Sequence, residues 1–469
     1  MEPQRAAQAA YEQLGFFVLD GLPPSSEFGL DTLLWRTDRF KGVKFIPPGL
    51  HLFAISAAPT STNEATPNRD SQSSVGTRHG VLRFYRGNEC IADEWDNARE
   101  ELKSEAVMEG GAAGLYKRPR RRRIVTASDG LPETTIASPD YLKSLDKSLA
   151  PYPQEEIAPH WPALVDFITE KTLARVVGLD ESGSAHVDAL SATADDAAVQ
   201  AAALQVKKQT WGKPRGEETG GVEPADDADD RDAVAEVDEQ SDLLQFVRFD
   251  EKRSWPRGAV GEELTRWSKD KSWQELLGEL QLSFVLFSLL HNFAALGVYR
   301  SLFALICRAS TLVLPQANRS PAAALPTPLL TNSALPLYAS FLAAVRAQVD
   351  FLEPSFFSTQ LPSLEQHLLD SLAVLVQSLS DALPHWTRIG EQDAGAEAVW
   401  NEVVRRWDAL AQLSMTKFGW DLGVISGSHA PYAAQGGRVA RDEGEVDLED
   451  LEEGEDAPQI VGEDELGDF

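Results

Sequence analysis

Hydrophobic positions change period about halfway along the chain. In the first half they come in short runs broken by Pro, Gly and charged groups, which favours strands. Phe16-Phe17-Val18-Leu19 predicts a buried strand that ends at Asp20-Gly21-Leu22-Pro23-Pro24. Val43-Lys44-Phe45-Ile46 predicts a second, and Leu50 to Ile55 a third. Between these two, Pro47-Pro48-Gly49 predicts a hairpin with a type II turn, because Pro48 fixes φ and Gly49 permits φ > 0. His51 alternates with Leu50 and Leu52 and is expected on an outer face. After a polar loop over 57–78, Val81 to Arg86 reads as a strand of mixed exposure. The charged stretch 87–103 reads as a helix beginning near Trp95.

From 139 to 178 the pattern becomes helical, with Leu164, Val165, Phe167, Ile168 and Leu173 on one wide face. Residues 179–240 are low in bulky apolar groups and rich in Asp, Glu, Gly and Ala, and read as a linker that cannot offset its own ordering entropy. Beyond it the period is 3.6. Trp273 to Cys307 predicts two helices with a bend near His291-Asn292. Tyr338, Phe341, Leu342, Val345, Val349 and Leu352 mark a third, stopped by Pro354. A fourth carries Leu364, Leu368, Leu372, Leu375 and Leu379, with Ser363 and Gln366 as an expected capping box. The fifth shows Val399, Trp400, Val403, Val404, Trp407 and Leu410, and 310–336 is a long loop. The fold class is therefore α+β and multidomain. A sandwich-like, β-rich domain over 1–178 carries a basic insertion near 104–138. An acidic flexible linker over 179–247 leads to an all-α domain over 248–425 and an acidic tail over 426–469.

Composition changes this picture in one respect. The net charge is −30, but the tail 441–469 sets fourteen acidic residues against one Arg, and 217–240 sets eleven against one. The remainder is close to balanced, so no basic surface for nonspecific nucleic-acid binding is expected. Apolar residues spaced into the tail (Val446, Leu448, Leu451, Ile460, Val461, Leu466) could add a strand to a partner's sheet edge, though a solvated tail is the plainer reading. Two distant cysteines, Cys90 and Cys307, exclude a disulfide framework and a CxxC zinc site. No secretory signal is apparent. The uncharged stretch 280–299 is long enough for a membrane span, but Gln281, Ser283, Ser288, His291 and Asn292 favour a buried helix pair.

Signals for chemistry are absent. The eight histidines are scattered without HExxH spacing, and neither a GxSxG elbow nor a P-loop occurs. An enzyme reading rests on nothing specific, and no cofactor or metal is implied. Lys117, Arg118, Arg120, Arg121, Arg122 and Arg123 form a basic run that is either a nuclear-import signal or a solvated loop.

Several blocks carry a resemblance. Glu27-Phe28-Gly29-Leu30-Asp31, Trp35 and Phe40-Lys41-Gly42 lead into Val43 through Ile46, then Pro47-Pro48-Gly49-Leu50-His51. Pro151-Tyr152-Pro153 is followed by Trp161 and Phe167-Ile168. Arg248-Phe249 runs through Pro256-Arg257-Gly258 to Leu277-Gly278-Glu279-Leu280-Gln281 and on to Cys307-Arg308. Lys417-Phe418-Gly419-Trp420-Asp421 closes the set. Together they resemble the a1–alpha2-repression splicing-factor family, the assembly chaperones of the U5 snRNP. The resemblance implies a β-rich N-terminal domain and a VHS-like helical domain. It also implies binding to the large U5 scaffold protein through its RNase H-like and Jab/MPN-like domains, and exclusion of the helicase until maturation. Other U5 snRNP proteins would be met only indirectly. Assembly would begin in the cytoplasm and finish in the nucleus, with no membrane and no sequence-specific nucleic acid as partner. The family's release by phosphorylation has only weak counterparts here, in Ser138, Ser320 and Thr327 before prolines. A VHS-type trafficking adaptor is the competing reading, but no basic amphipathic helix supports it.

Overall fold

The computed structural model describes residues 13–38, 40–58, 77–86, 89–97, 101–102, 123–126, 145–180, 183–193, 243–247, 272–313, 335–391 and 393–426. The tail beyond 426, Lys117 to Arg122, Ser138, Ser320 and Thr327 lie outside them. Arg123 opens a short strand.

Two sheets form the N-terminal part. The first has the order β10-β4-β1-β7-β8, with β9 also on β7. Its strands are β1 (Gly15–Asp20), β4 (Gly42–Ile46), β7 (Glu89–Asp96), β8 (Glu101–Leu102), β9 (Arg123–Thr126) and β10 (Ala150–Pro151). The second has the order β11-β6-β5-β2-β3, from β2 (Ser26–Leu30), β3 (Leu33–Thr37), β5 (Gly49–Ser56), β6 (His79–Tyr85) and β11 (Ser184–Asp188). Period-two alternation joins the sheets. Phe17 of β1 stacks on Phe53 of β5 at 4.2 Å between ring centroids. Phe16 and Val18, on the opposite face of β1, join Cys90 and Leu149 in a separate small cluster.

Three short helices follow: α1 (Gln154–Ile157), α2 (Trp161–Val165) and α3 (Glu170–Val176). Trp161 Nε1 donates to the Leu50 carbonyl at 2.6 Å and so fixes α2 to the start of β5. The C-terminal part is helical: α4 (Trp273–Leu290), α5 (Phe293–Arg308), α6 (Ser310–Val313), α7 (Leu335–Phe351), α8 (Phe356–Thr359), α9 (Pro362–Gly390) and α10 (Ala394–Phe418). The bend expected at His291-Asn292 is present. His291 takes a left-handed φ of 59°, and Asn292 caps α5 by accepting from Ala295 N at 2.8 Å. Among the described residues no helix is long and apolar enough to cross a membrane.

Five expectations are corrected. β4 and β5 do not form a hairpin. β4 pairs with β1 and β10, whereas β5 pairs with β2 and β6. Pro47 and Pro48 have no N–H with which to close a ladder beside a turn, so Pro47-Pro48-Gly49 carries the chain from one sheet to the other. Gly49 does have a positive φ, of 140°. His51 is buried, not outward-facing, because both faces of β5 are covered. Its odd face meets the first sheet. Its even face is shared by Gly80, which is paired with Ala54 and lies against Leu290 of α4. Trp95 lies within strand β7, one residue from its end, and does not start a helix; Ile91 and Trp95 enter the main core while Cys90 faces the small cluster, a strand's period. The stretch read as linker contains β11, which pairs with β6, and buried Leu244 and Phe246. Finally, Ser363 does not cap α9. The N-cap is Leu361 with Pro362 entering the helix, and Gln366 donates forward to Asp370 at 2.7 Å.

Candidate functional site

The motif residues fall into three constructions, and two of them join parts of the chain that are distant in sequence.

The first is a charged knot between the sheets. Asp31 leaves β2 in a left-handed conformation, φ 52°, which aspartate tolerates better than most residues. Its buried carboxylate accepts from Leu52 N at 2.9 Å and from the Tyr152 hydroxyl at 2.7 Å. His51 Nδ1 stands 2.8 Å from the same carboxylate, and its Nε2 stands 2.9 Å from the Pro47 carbonyl oxygen. Tyr152 N donates to Lys44 O, and Pro151 pairs with Lys44 in β10. Pro153 precedes α1 as its N-cap. Each ring or chain segment here is held by a polar group that would be costly to bury alone. Gly42 closes β4 onto β1: at φ 134°, a Cβ there would sit 1.9 Å from the Phe17 carbonyl oxygen.

Burial, then the Asp31 charge and hydrogen bond, push the Tyr152 hydroxyl far above the ordinary tyrosine range. Burial does the same to Tyr85 and Tyr299. The folded values are raised, so this stability is fully present below the unfolded value of about 10 and is lost as pH climbs above it. Absorbance at 295 nm should therefore show at least Tyr85, Tyr152 and Tyr299 of the eight tyrosines silent in the folded protein between pH 10 and 12, and all eight ionising in guanidinium. Ionisation of all eight in the folded state would contradict this.

The second construction is the seam between sheets and helices, built by Gly278, Glu279 and Gln281 on α4. All three are buried. Gly278 lets α4 touch the α2–α3 turn; a Cβ would lie 2.4 Å from the Phe167 carbonyl oxygen. Gln281 Oε1 accepts from Phe167 N at 2.8 Å, while its Nε2 donates to Ala163 O at 3.2 Å and Asp166 Oδ1 at 2.6 Å. Burial raises the Asp166 carboxyl, and the Gln281 bond opposes that shift. Glu279 pairs with Arg175 of α3 and accepts from Val247 N at 2.7 Å. At the far end of α4, Asn292 Nδ2 donates to Asp188 O at 2.9 Å and Ser191 O at 2.8 Å. Arg78 donates to Leu289 O at 3.0 Å and reaches Glu27, and it lies 3.1 Å from His291 Nε2. Burial, then the Arg78 charge, hold the His291 ring below the usual imidazole range. One continuous hydrophobic core runs from Phe17 through Leu280 to Leu410. The two halves are thus not tethered modules but share one interior.

The third is the end of α10. Gly419, at φ 73°, stops the helix. Phe418 and Trp420 then stack on each other at 5.0 Å and pack on Phe357 of α8. Trp420 Nε1 donates to Glu365 of α9 at 2.7 Å, and Asp421 accepts from Gly423 N at 3.1 Å.

Some motif residues are exposed: Trp35 on edge strand β3, Pro48 in the crossover, Pro151 in β10 and Asp421 after α10. Phe28 is core, tilted against Phe40 at 4.0 Å, and Gly29 lies against Ala54. Arg78, Arg175 and Asp166 were not singled out in the sequence, since isolated charges carry no periodic signal. Asn292 was visible as a bend residue, and its Asn-before-helix position was the available cue to a cap. Among the described residues no group of three or more His, Cys, Asp or Glu could hold a metal ion.

The comparisons with known proteins follow these constructions closely. A family model described as the AAR2 N-terminal domain matches residues 13–178, and one described as the AAR2 C-terminal repeat region matches 246–423. The chain belongs to the AAR2 family. This is the family that the sequence blocks resemble. The human Protein AAR2 homolog is 25% identical over 333 residues, covering 67% of this chain and 74% of the relative. The mouse Protein AAR2 homolog is 26% identical over 329 residues, covering 66% and 73%. The Caenorhabditis elegans Protein AAR2 homolog is 28% identical over 177 residues, covering 37% and 38%. The two AAR2 matches lie on opposite sides of the seam, so Gln281, Glu279 and their partners join one matched region to the other.

Proposed function

We propose that this AAR2-family chain is a non-catalytic pre-mRNA splicing factor that acts as an assembly chaperone of the U5 snRNP and its tri-snRNP. It binds the large U5 scaffold protein through that protein's RNase H-like and Jab/MPN-like domains, and it keeps the helicase off until maturation. Its helical region is read as VHS-like. It works in cytoplasm and nucleus, with the basic run at 117–123 as the import signal. The observation that carries this reading is the match of both AAR2 regions across the chain.

The seam refines how such binding would work. Two modules on a slack linker would gain affinity through effective concentration. Two halves with a common core instead present their surfaces at a fixed spacing, so partner domains are brought into one orientation and less rotational freedom remains to be lost on binding. The test is retention of the scaffold's RNase H-like and Jab/MPN-like domains on the immobilised chain, followed by helicase challenge. Retention of both, with exclusion of helicase, is expected. Retention of neither domain would sink the reading.

A further inference from the structure

Where the turn before α2 meets α7 and α10, a cleft of about 360 Å³ opens. Of the residues in the three constructions above it shares only Ala163. Its lining includes His160, Ala163, Arg346, Asp350, Arg405 and Arg406. Arg406 is fixed in place: it pairs with Glu402 and donates to Ala339 O at 2.7 Å. Arg405 reaches Glu402 with Nε at 3.0 Å and Nη2 at 2.5 Å, yet it is largely exposed and keeps further donors for another acceptor. Hydrogen bonds from Arg405 and then Arg406 hold the Glu402 carboxyl below its ordinary range. Arg346, on α7, is exposed and has no ion-pair partner among the described residues. Asp350 is the acid on the same rim, 3.7 Å from His160, with Lys417 beside it. Asp166 lies behind Arg406 and is hydrogen-bonded to Gln281.

We propose that this cleft is a docking site for an acidic peptide segment of a partner protein, gripped by Arg346 and Arg405. The argument is charge and size together. In a chain of net charge −30, one concave place presents the guanidinium fork of Arg346, suited to a carboxylate, and beside it the donors of Arg405 that Glu402 leaves over. Alanines at 163, 343, 347 and 409 leave room between the arginines for side chains. The volume admits a few side chains and not a folded domain, which fits an extended segment. Because α2 lines one wall and α7 and α10 the other, an occupant would touch both halves of the molecule. The site stands apart from the proposed U5 reading and does not need it.

The test uses the full chain and fluorescence anisotropy. The probes are a labelled ten-residue Glu/Asp peptide, its Gln/Asn counterpart, a single-stranded ten-mer of deoxythymidine, and inorganic phosphate as competitor. The acidic peptide should bind more tightly than the neutral one and weaken with added salt. Arg346→Glu with Arg405→Glu should reduce its affinity about tenfold or more, and the Gln pair should give a smaller loss in the same direction. Melting temperatures of the variants near that of the parent would assign the loss to the site and not to unfolding. If either pair of substitutions left peptide binding unchanged in folded protein, the proposal would fail. It fails equally if the acidic peptide does not bind, if the oligonucleotide binds better than the peptide, or if phosphate at millimolar concentration displaces the peptide completely.

Discussion

Replacing Gly278 with alanine will destabilise the whole molecule, by about 2–4 kcal/mol. By helix propensity alone the change should stabilise an interior helical position by about 1 kcal/mol. Packing opposes this with a larger effect. The new Cβ would lie 2.4 Å from the Phe167 carbonyl oxygen, which is backbone and cannot rotate away. Moving α4 outward would also break the bonds that Gln281 makes to Phe167, Ala163 and Asp166, leaving buried polar groups unpaired. Gly297 on α5 supplies the internal control, because a Cβ there meets nothing within 4 Å. Gly297→Ala should be neutral or slightly stabilising by urea denaturation. A loss of the same size at both positions would show that the close approach of α4 to the Phe167 turn is not the cause.

Asp31→Ala should cost about 3–5 kcal/mol, the range for removing one partner of a buried charged network. Two effects combine. Leu52 N, His51 and Tyr152 lose their common acceptor. In addition, alanine disfavours the left-handed backbone at φ 52° by about 1–2 kcal/mol. Asp31→Asn keeps the backbone preference and one carbonyl acceptor, so it should lose less. Tyr152→Phe should cost only about 1–2 kcal/mol, and the double change with Asp31→Ala should fall short of the sum because both remove one bond. Full additivity would mean that the Tyr152–Asp31 bond contributes nothing.

Much of the architecture was legible in the chain. Strands β1, β4, β5 and β6 and the five long helices followed from period and punctuation, since burial on one face imposes period two or 3.6 on local sequence. The pair α4–α5 was placed together with its bend, because His291 and Asn292 interrupt an otherwise apolar stretch. Strand β11 was missed because it is five residues long and lies among small and acidic groups that predict no core. It is ordered by pairing with β6, a contact about a hundred residues back along the chain. Trp95 was misplaced because the charges after it imitate a helix, whereas the parallel partner β1 decides the matter.

The motif residues were identifiable, but their work was not. Period and turn chemistry gave His51 a strand and Gly49 a positive φ, and nothing local could show that the two sides of Pro47-Pro48 enter different sheets. Gly278, Glu279 and Gln281 read as ordinary helix residues until the turn at Ala163 to Phe167 is set against them. Local pattern is enough for most element types, the helical second half, the separation of acidic segments from a nearly balanced body, and the family resemblance, because each rests on neighbours along the chain. It takes the folded chain to show that the two halves share one core, that Asp31, His51 and Tyr152 form a single knot, and that Arg346 and Arg405 face one cleft. The physical reason is common to all three. A buried polar group must find its partner, and that partner can stand a hundred residues away, where no local pattern records it.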